Sequence, residues 1–287
     1  MTIVGPVRSN HVQDARFRVL SGRPFRAGGD AVISVESLTK TFKVSRRMRK
    51  EMGPSAKGHL TAVDNISFEC RPGRVCGLLG PNGAGKTTAL RTIATMLRPT
   101  SGTFRVAGFD GVQDPQSVRK NIGFLTGNTG LYDRLTALEM VRYYAQLHGM
   151  DRAAFDQRRA RLFAQLDMDR FANQRVSQLS TGMKQKVSIV RTIIHDPPVV
   201  VFDEPTAGLD VMTSRSIVSL IRSCREEGKT VLFSTHLMHE VQQLCDDIAV
   251  IHRGRIYFSG TKAEFEAQMT QPTYEDEFIH MVEGEPR

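Results

Sequence analysis

The sequence predicts an α/β fold in which helices cover both faces of a mostly parallel β-sheet. Short apolar segments of strand length alternate along the chain with longer segments of helical periodicity. A glycine-rich turn follows one of these apolar segments, Val75–Leu79, and two adjacent acidic residues follow another, Val199–Phe202. Strands separated by helices usually form parallel sheets, and polar residues at the carboxyl ends of such strands often mark a ligand site.

The individual elements follow from the same periodicities. Apolar residues alternate within Ala31–Phe42, which predicts a strand, and from Ala62 onward strands and helices should alternate. The further expected strands are Val75–Leu79, Ile122–Leu125, Val199–Phe202, Thr230–Ser234 and Ile248–Ile251. The expected helices are Lys86–Leu97, Ala137–His148, Asp151–Phe171, Met183–Ile194, Thr213–Glu227 and His239–Cys245. The second and third of these helices are polar enough to form a surface subdomain.

Composition is typical of a globular protein without membrane spans. The 287 residues suffice for one large domain with a buried core. No apolar run approaches the ~18 residues of a membrane-spanning helix, and the first 30 residues lack the apolar segment of a signal peptide. The cysteines form no C-x-x-C pair, so we interpret them as reduced thiols of a cytosolic protein. They are Cys70, Cys76, Cys224 and Cys245.

The net charge of +9 is concentrated near the start of the chain. Residues 1–60 contain twelve Lys or Arg and four Asp or Glu, so the remainder is close to neutral. This distribution argues against a nucleic-acid-binding surface over the main body. Residues 1–30 lack periodicity and are interpreted as a flexible tail. The basic insertion Ser45–His59 is either a solvated loop or a segment attracted to an anionic membrane surface.

The glycine-rich turn has the composition of a phosphate-binding loop. It reads G-P-N-G-A-G-K-T and satisfies G-x-x-x-x-G-K-[ST] between an expected strand and an expected helix. Glycines allow a tight turn whose N–H groups point at a phosphate, and the helix N-terminus favours the same anion. We expect Lys86 to reach the β- and γ-phosphates of a nucleotide and Thr87 to hold Mg²⁺. The predicted nucleotide contacts are Gly80, Pro81, Asn82, Gly83, Ala84, Gly85, Lys86, Thr87 and Thr88.

The acidic pair supplies the complementary chemistry. Asp203 and Glu204 emerge from the expected strand Val199–Phe202, at the end where α/β sheets bind ligands. Asp203 suits the coordination shell of Mg²⁺, directly or through water. Glu204 suits the base, or positioning group, for an attacking water, because phosphoryl transfer depends mainly on orientation and charge stabilisation. These two motifs together predict a P-loop NTPase, with kinases and GTPases still open.

A third motif separates these classes. Leu179–Gln185 reads L-S-T-G-M-K-Q and resembles the signature sequence of ABC-type ATPases, usually L-S-G-G-Q. The resemblance extends over most of the chain, from about Ile33 to Gly260, and it argues against a kinase or GTPase. Its further motifs are Asp196-Pro-Pro before the strand, Ala207–Asp210 at the D-loop, His236 at the switch histidine, and Phe42 at the aromatic that stacks on adenine.

The resemblance implies a fold and a dimeric mechanism. The fold would be an ABC nucleotide-binding domain with a mostly parallel core sheet, a small antiparallel β part and a helical subdomain at about 126–182. In this family two domains join head to tail around ATP, so Ser180 and Gly182 would contact the γ-phosphate bound to a partner copy, and Asp210 would belong to the same interface. Ser180 also fits a plain helix N-cap. Glu204 and His236 would be the catalytic residues, with ATP and Mg²⁺ as cofactors.

Two departures from the family pattern concern the metal and the signature. The glutamine that usually contacts Mg²⁺ falls at Gly127, and Asn128 beside it would substitute in part. Thr181 and Met183 replace a glycine and a glutamine of the signature. His239 and Glu240 give a weaker, metal-like pattern after His236, which we disfavour because Mg²⁺ already has a site at the phosphates.

The same resemblance suggests domain limits and a biological setting. Residues 31–262 would form the ATP-binding domain and residues 263–287 a short helical tail, an ending that resembles ATPases of ABC-2-type export permeases. Thr126–Thr136 and Ser180–Lys186 look most like the ATP-binding subunits of sodium-extruding exporters. The implied partners are a separate transmembrane permease and a second copy of the subunit, at the cytoplasmic face of the cell membrane, with no nucleic acid. A drug or lipid exporter ATPase and a soluble, non-transport ABC ATPase are the alternatives.

Overall fold

The computed structural model describes residues 20–21, 31–44, 58–127 and 130–283. Most of the predicted tail 1–30, most of the basic insertion and Asn128 lie outside these described residues. Within them, none of the helices has the length and apolarity needed to cross a membrane. The thiols of the four cysteines are free and buried.

The strands of the described ranges form two sheets. The larger sheet has the order β1-β11-β10-β4-β9-β8-β7, and the smaller has the order β3-β2-β5-β6. The strands are β1 (Leu20–Ser21), β2 (Ile33–Lys43), β3 (His59–Cys70), β4 (Val75–Leu79), β5 (Ser101–Val106), β6 (Phe109–Asp110), β7 (Ile122–Leu125), β8 (Val199–Asp203), β9 (Thr230–Thr235), β10 (Asp247–His252) and β11 (Arg255–Thr261).

The larger sheet is mostly parallel, as predicted. The neighbours β10, β4, β9, β8 and β7 pair in parallel, whereas β11 runs antiparallel to β10. In the register, Leu79 lies opposite Thr235, and Asp203 lies opposite Ser234. The carboxyl ends of β4, β8 and β9 therefore meet at one edge of the sheet, where the loops after all three strands come together.

Two cores explain why the central strand β8 is apolar on both faces from Val199 to Phe202. Val199 and Val201 of β8 pack into the core shared with the smaller, antiparallel sheet, whereas Val200 and Phe202 pack into the core under the helices. All five residues of β8 are buried, because both faces of the strand are covered. The smaller sheet is the antiparallel part implied by the sequence resemblance.

The α-helices found in the described part of the chain lie close to the predicted bounds, with additions. They are α1 (Lys86–Ile93), α2 (Pro115–Asn121), α3 (Ala137–Leu147), α4 (Arg152–Gln165), α5 (Thr181–Ile193), α6 (Val211–Glu226), α7 (Met238–Leu244), α8 (Lys262–Gln268) and α9 (Tyr274–Glu283). α3 and α4 pack against α5 through one shared core. The division of the chain into a domain, a helical subdomain and a tail stays a prediction.

Two predicted helices are too long. The helix from Lys86 ends at Ile93 instead of Leu97, and Thr95 just beyond it has a positive φ of 61°. The helix predicted to reach Phe171 ends at Gln165, because Asp167 adopts a φ of 52°, after which Asp169–Phe171 forms a separate 3₁₀ turn. A left-handed residue directly after a helix is a common way to end it, and Asp tolerates that conformation better than most residues.

Candidate active site

The predicted phosphate loop and Glu204 of the predicted acidic pair line one cavity. The cavity has a volume of about 290 Å³ and lies between the loop that follows β4 and the end of β8. Its lining confirms that the two motifs are neighbours in space. The lining residues are Ala62, Pro81, Asn82, Gly83, Gly85, Lys86, Thr87, Thr88 and Glu204.

The shape of the loop depends on glycine at specific positions. Gly83 and Gly85 have φ values of 80° and 109°, which side-chain-bearing residues rarely adopt. A Cβ on Gly85 would also lie 2.4 Å from the carbonyl oxygen of Ala62 on β3, whereas a Cβ on Gly83 would meet nothing. The loop is thus tightly packed against β3 on one side and open at Gly83.

A turn that is distant in sequence also contacts the loop. Arg253 and Gly254 form the two-residue turn between β10 and β11, and both have positive φ. The Gly254 N–H donates to the Ala84 carbonyl at 2.8 Å, and the Gly254 carbonyl accepts from the Asp64 N–H, also at 2.8 Å. One residue therefore joins the phosphate loop to β3.

Lys86 is the buried cation of this cavity. Its side chain is 4% exposed, and its ammonium donates to the carbonyls of Gly80 and Pro81 at 2.7 and 3.1 Å. The same Nζ lies 3.0 Å from Oε1 of Glu204. The ammonium is thus held by two backbone carbonyls of the loop and by the carboxylate of Glu204.

Asp203 sits at the centre of a hydroxyl network. The Thr87 hydroxyl donates to Oδ1 of Asp203 at 3.0 Å, and the Ser234 hydroxyl donates to the same oxygen at 2.8 Å. Ser234 also accepts a hydrogen bond through Oγ from the backbone N–H of Glu204 at 3.0 Å. One buried serine thereby links both acidic residues.

Glu204 has a strained backbone and two charged neighbours. Its φ of 48° is unusual for a residue with a side chain and costs roughly 1 to 3 kcal/mol. Its N–H is bonded to the Oγ and, at 3.2 Å, to the carbonyl of Ser234. Its Oε2 lies 3.5 Å from Nδ1 of His236, so the carboxylate lies between that imidazole and Lys86. This conformation turns the carboxylate toward the cavity.

A second cluster forms around the start of α5 and α6. Ser180 is the N-cap of α5 and accepts from the Met183 N–H at 3.3 Å, as the N-cap interpretation expects. Asp210 is the N-cap of α6, and its hydrogen bonds from the N–H and hydroxyl of Thr213 lower its pKa. A Cβ on Gly182 would lie 3.1 Å from the Thr213 hydroxyl. Ser180, Gly182 and Asp210 thus form one surface, outside the lining of the cavity.

Comparison with known proteins decides the family. Residues 63–207 match the family model described as ABC transporter, and they make up half of the chain. The chain belongs to the ABC transporter family. Over 200 residues it is 46% identical to the ABC transporter ATP-binding protein NatA of Bacillus subtilis, an alignment that covers 69% of this chain and 81% of that protein.

Two further similarities support the assignment to ABC ATP-binding subunits. The chain is 34% identical over 237 residues to the Nod factor export ATP-binding protein I of Ralstonia nicotianae, which covers 83% of the chain and 69% of that protein. Among solved structures, it resembles the dimeric post-hydrolysis state of the ATP-binding cassette MJ0796 bound to ADP and Pi, with a TM-score of 0.70 and 26% identity over 80% of this chain and 98% of that one. The predicted P-loop NTPase fold is confirmed.

Two sites expected in an ABC domain lie away from the cavity lining. Phe42 is on β2 opposite Leu60, with the Lys40 ammonium 5.2 Å from its ring, and Ala62 of the adjacent strand lines the cavity. Gly127, at the position of the family glutamine, is exposed, and a Cβ there would meet nothing. Asn128 lies outside the described residues.

Sequence reasoning missed several residues that shape this ABC site. It assigned no role to Ser234, Gly254 or Ala62, and it considered Glu240 only as part of a metal-like pattern. In the structure Glu240 is buried and accepts hydrogen bonds from two threonine hydroxyls. Among the described residues, no group of three or more His, Cys, Asp or Glu side chains is arranged to hold a metal. A polar residue near the end of an apolar strand was the available signal for Ser234.

Proposed function

We propose that this ABC subunit binds ATP with Mg²⁺ and hydrolyses it to drive a membrane exporter. The observation that carries the proposal is that Lys86, Thr87 and Glu204 line one cavity, with Asp203 hydrogen-bonded to Thr87. A buried ammonium, a helix N-terminus and a pair of carboxylates at one point provide the groups that phosphoryl transfer requires.

The phosphates of ATP would lie in the loop Gly80–Thr88, with their charge facing the start of α1 and Lys86. Phosphate oxygens and the Glu204 carboxylate would compete for the Lys86 ammonium, which lies 3.0 Å from that carboxylate. Binding would therefore free Glu204 from its ion pair. Phe42 is proposed to stack on the adenine, as in the related domains.

The oxygen donors beside the cavity fit Mg²⁺. The Thr87 hydroxyl and the Asp203 carboxylate are 3.0 Å apart, and both are hard oxygen ligands of the kind that Mg²⁺ takes alongside phosphates and water. Asn128 is a third proposed contact of Mg²⁺. When bound, the ion supplies positive charge that neutralises the phosphate oxygens.

Hydrolysis would use Glu204 and His236. Freed from Lys86, the Glu204 carboxylate would orient a water or accept its proton as the water attacks the γ-phosphate. The imidazole of His236, 3.5 Å from the same carboxylate, would contact the γ-phosphate. Ser234 would keep the carboxylate in place through its hydrogen bonds to the Glu204 N–H and to Asp203.

A second copy of the chain would complete the site. Ser180, Gly182 and Asp210 share one surface that is separate from the cavity lining of their own chain. The first N–H groups of an α-helix such as α5 have no acceptor within the helix backbone and can bind an anion. In a homodimer they would contact the γ-phosphate bound to the partner, an arrangement supported by the dimeric relative.

The transport setting is inferred from the relatives. One similar protein is named for Nod factor export. We infer an exporter with a separate ABC-2-type permease, placed at the cytoplasmic face of the membrane. Sodium as cargo rests on the likeness of Thr126–Thr136 and Ser180–Lys186 to sodium-extruding exporters, and it stays a prediction.

Affinity purification from membranes tests the exporter proposal. The tagged chain is extracted in mild detergent and its partners are identified by mass spectrometry, beside two variants at exposed positions. We propose that the segment 126–136 contacts the permease, so Tyr132, which is 54% exposed in that segment, is changed to Glu. Met96, which is 59% exposed elsewhere, is changed to Ala. Recovery of one multi-span protein with wild type and Met96→Ala, and its loss with Tyr132→Glu, is the expected result. Recovery of ribosomes or DNA-processing proteins instead would favour a soluble ABC ATPase.

A further inference from the structure

Glu240 is a buried carboxylate with partners from two separate segments. It lies on α7 and is 3% exposed, so its oxygens need hydrogen bonds in place of water. Its Oε2 accepts from the Thr235 hydroxyl at 2.6 Å, and its Oε1 accepts from the Thr206 hydroxyl. Thr235 ends β9, whereas Thr206 follows β8, so one side chain connects the loops after two neighbouring strands.

The Thr235 contact controls the backbone around His236. Thr235 is buried, and its hydroxyl oxygen also accepts from the Leu237 N–H at 3.0 Å. Its side chain therefore fixes the residues on both sides of His236. Because Glu240 fixes that side chain, the position of the imidazole depends on Glu240.

The Thr206 contact controls the segment that follows Glu204. Thr206 is buried two residues after Glu204, and its carbonyl accepts from the Leu209 N–H at 3.2 Å in the turn that leads to Asp210. From the other side, the Gln185 side chain on α5 donates to the Pro205 carbonyl at 2.7 Å. The turn is thus held between α5 and Glu240.

Glu240 therefore bridges the two segments that carry the proposed catalytic pair. Glu204 Oε2 and His236 Nδ1 are 3.5 Å apart. One hydroxyl bonded to Glu240 belongs to Thr206, two residues after Glu204, and the other belongs to Thr235, directly before His236. Displacements of a fraction of an ångström at reacting groups cost large factors in rate. We propose that Glu240 is a positioning residue that sets the spacing of Glu204 and His236 for ATP hydrolysis, an inference that rests on the proposed function.

The direct test compares Glu240→Ala with Glu226→Ala, an exposed glutamate of α6. For each full-length protein, kcat and KM for Mg²⁺–ATP are measured together with the affinity for ATP and the thermal midpoint. Glu240→Ala should lower kcat at least about tenfold and leave the ATP affinity within about twofold, while Glu226→Ala should match wild type. A folded Glu240→Ala protein with wild-type kcat would overturn the proposal.

A second pair keeps the test decisive if Glu240→Ala fails to fold. Thr206→Ser keeps the hydroxyl that donates to Glu240, whereas Thr206→Val keeps the shape and loses the hydroxyl. The serine variant should retain kcat within about twofold, and the valine variant should lose about tenfold without a matching change in ATP affinity. Equal kcat in the two folded variants would overturn the positioning role of Glu240 and would leave the proposed ATP hydrolysis standing. Absence of hydrolysis in wild type itself would overturn the proposed function and the inference together.

Discussion

The Lys86 ammonium lies 3.0 Å from the Glu204 carboxylate, although the two residues follow different strands of the sheet. Lys86 is buried, so its positive charge needs oxygen partners in place of water. Those partners are the Glu204 carboxylate and the carbonyls of Gly80 and Pro81. Glu204, which is proposed to act on water, therefore directly contacts Lys86, which is proposed to hold the phosphates.

Removal of the Glu204 charge should separate ATP binding from turnover. Glu204→Gln keeps the size of the side chain but loses the negative charge and the capacity to accept a proton. We expect ATP affinity equal to or above that of wild type and phosphate release at least ~100-fold slower. Equilibrium binding and a phosphate-release assay measure the two effects. Exposed Glu226→Gln on α6 is the control, and normal hydrolysis by Glu204→Gln would contradict the catalytic assignment.

Removal of the Lys86 charge should weaken ATP binding as well as turnover. Lys86→Ala deletes the cation that faces the phosphate site and leaves Glu204 without its 3.0 Å partner. We expect ATP affinity to fall by at least about tenfold, with turnover lost at ordinary ATP concentrations. Lys120→Ala, at an exposed position of α2, should bind ATP as wild type does. Unchanged binding by Lys86→Ala would argue against the phosphate-loop assignment.

Two glycines of the loop should respond differently to alanine. Both Gly83 and Gly85 have positive φ, so either substitution costs about 1 kcal/mol of backbone strain. Only at Gly85 would the new Cβ also lie 2.4 Å from the Ala62 carbonyl oxygen, which forces the loop away from β3. ATP titrations should therefore show a much larger loss for Gly85→Ala than for Gly83→Ala. Equal losses would mean that strain alone, rather than contact with β3, shapes the loop.

Ser234 should matter for turnover more than for binding. Ser234→Ala leaves Asp203 Oδ1 with one hydroxyl donor fewer and removes an acceptor from the Glu204 N–H, at a cost of about 1 to 3 kcal/mol in the free energy of unfolding. We expect kcat to fall about tenfold because Glu204 is less firmly placed. The control is Ser216→Ala, whose hydroxyl donates to the Met212 carbonyl of its own helix. Denaturant unfolding and steady-state kinetics measure the two effects, and an unchanged kcat would exclude the positioning role.

His195 should make the fold less stable in mild acid. Its ring stacks on His148 at 3.6 Å, and burial, together with the charge of His148, lowers its pKa from 6.5 to about 4. The unfolded chain therefore takes up a proton below pH 6.5 that the folded chain does not, so stability is lost as the pH falls toward 4. Between pH 7 and 5 the loss should be about 1 to 2 kcal/mol.

Substitution isolates that contribution. His195→Phe keeps a flat ring against His148 but cannot titrate, so its free energy of unfolding should change less between pH 7 and 5 than that of wild type. His280→Gln, at an exposed position of α9, should keep the wild-type dependence. Denaturant titrations at the two pH values provide the measurement. A wild-type slope in His195→Phe would exclude His195 as the source.

The sequence predicts those parts of the site that are made of residues adjacent in the chain. Lys86 and Thr87 belong to one short motif beside a strand, and Asp203 with Glu204 belongs to another, so their meeting at one sheet edge followed from parallel strand order. The φ of 48° at Glu204 and the hydroxyl contacts of Glu240 could not be predicted, because they depend on backbone packing between segments far apart in the chain. The ends of α1 and α4 were missed because the left-handed residues after them are Thr95 and Asp167, whereas glycine is the usual sequence signal for such an end.

The turn at Gly254 has a consequence for how the protein folds. Its N–H donates to the Ala84 carbonyl of the phosphate loop, and its carbonyl accepts from the Asp64 N–H of β3. Two early segments are therefore joined by a residue in the turn between β10 and β11. Contacts between residues so distant in sequence form late, because the intervening chain must first be ordered. We expect the phosphate loop to reach its final shape only after the β10–β11 hairpin has docked. A ribosome that has translated the first 200 residues has made the whole loop, but not the turn that holds it.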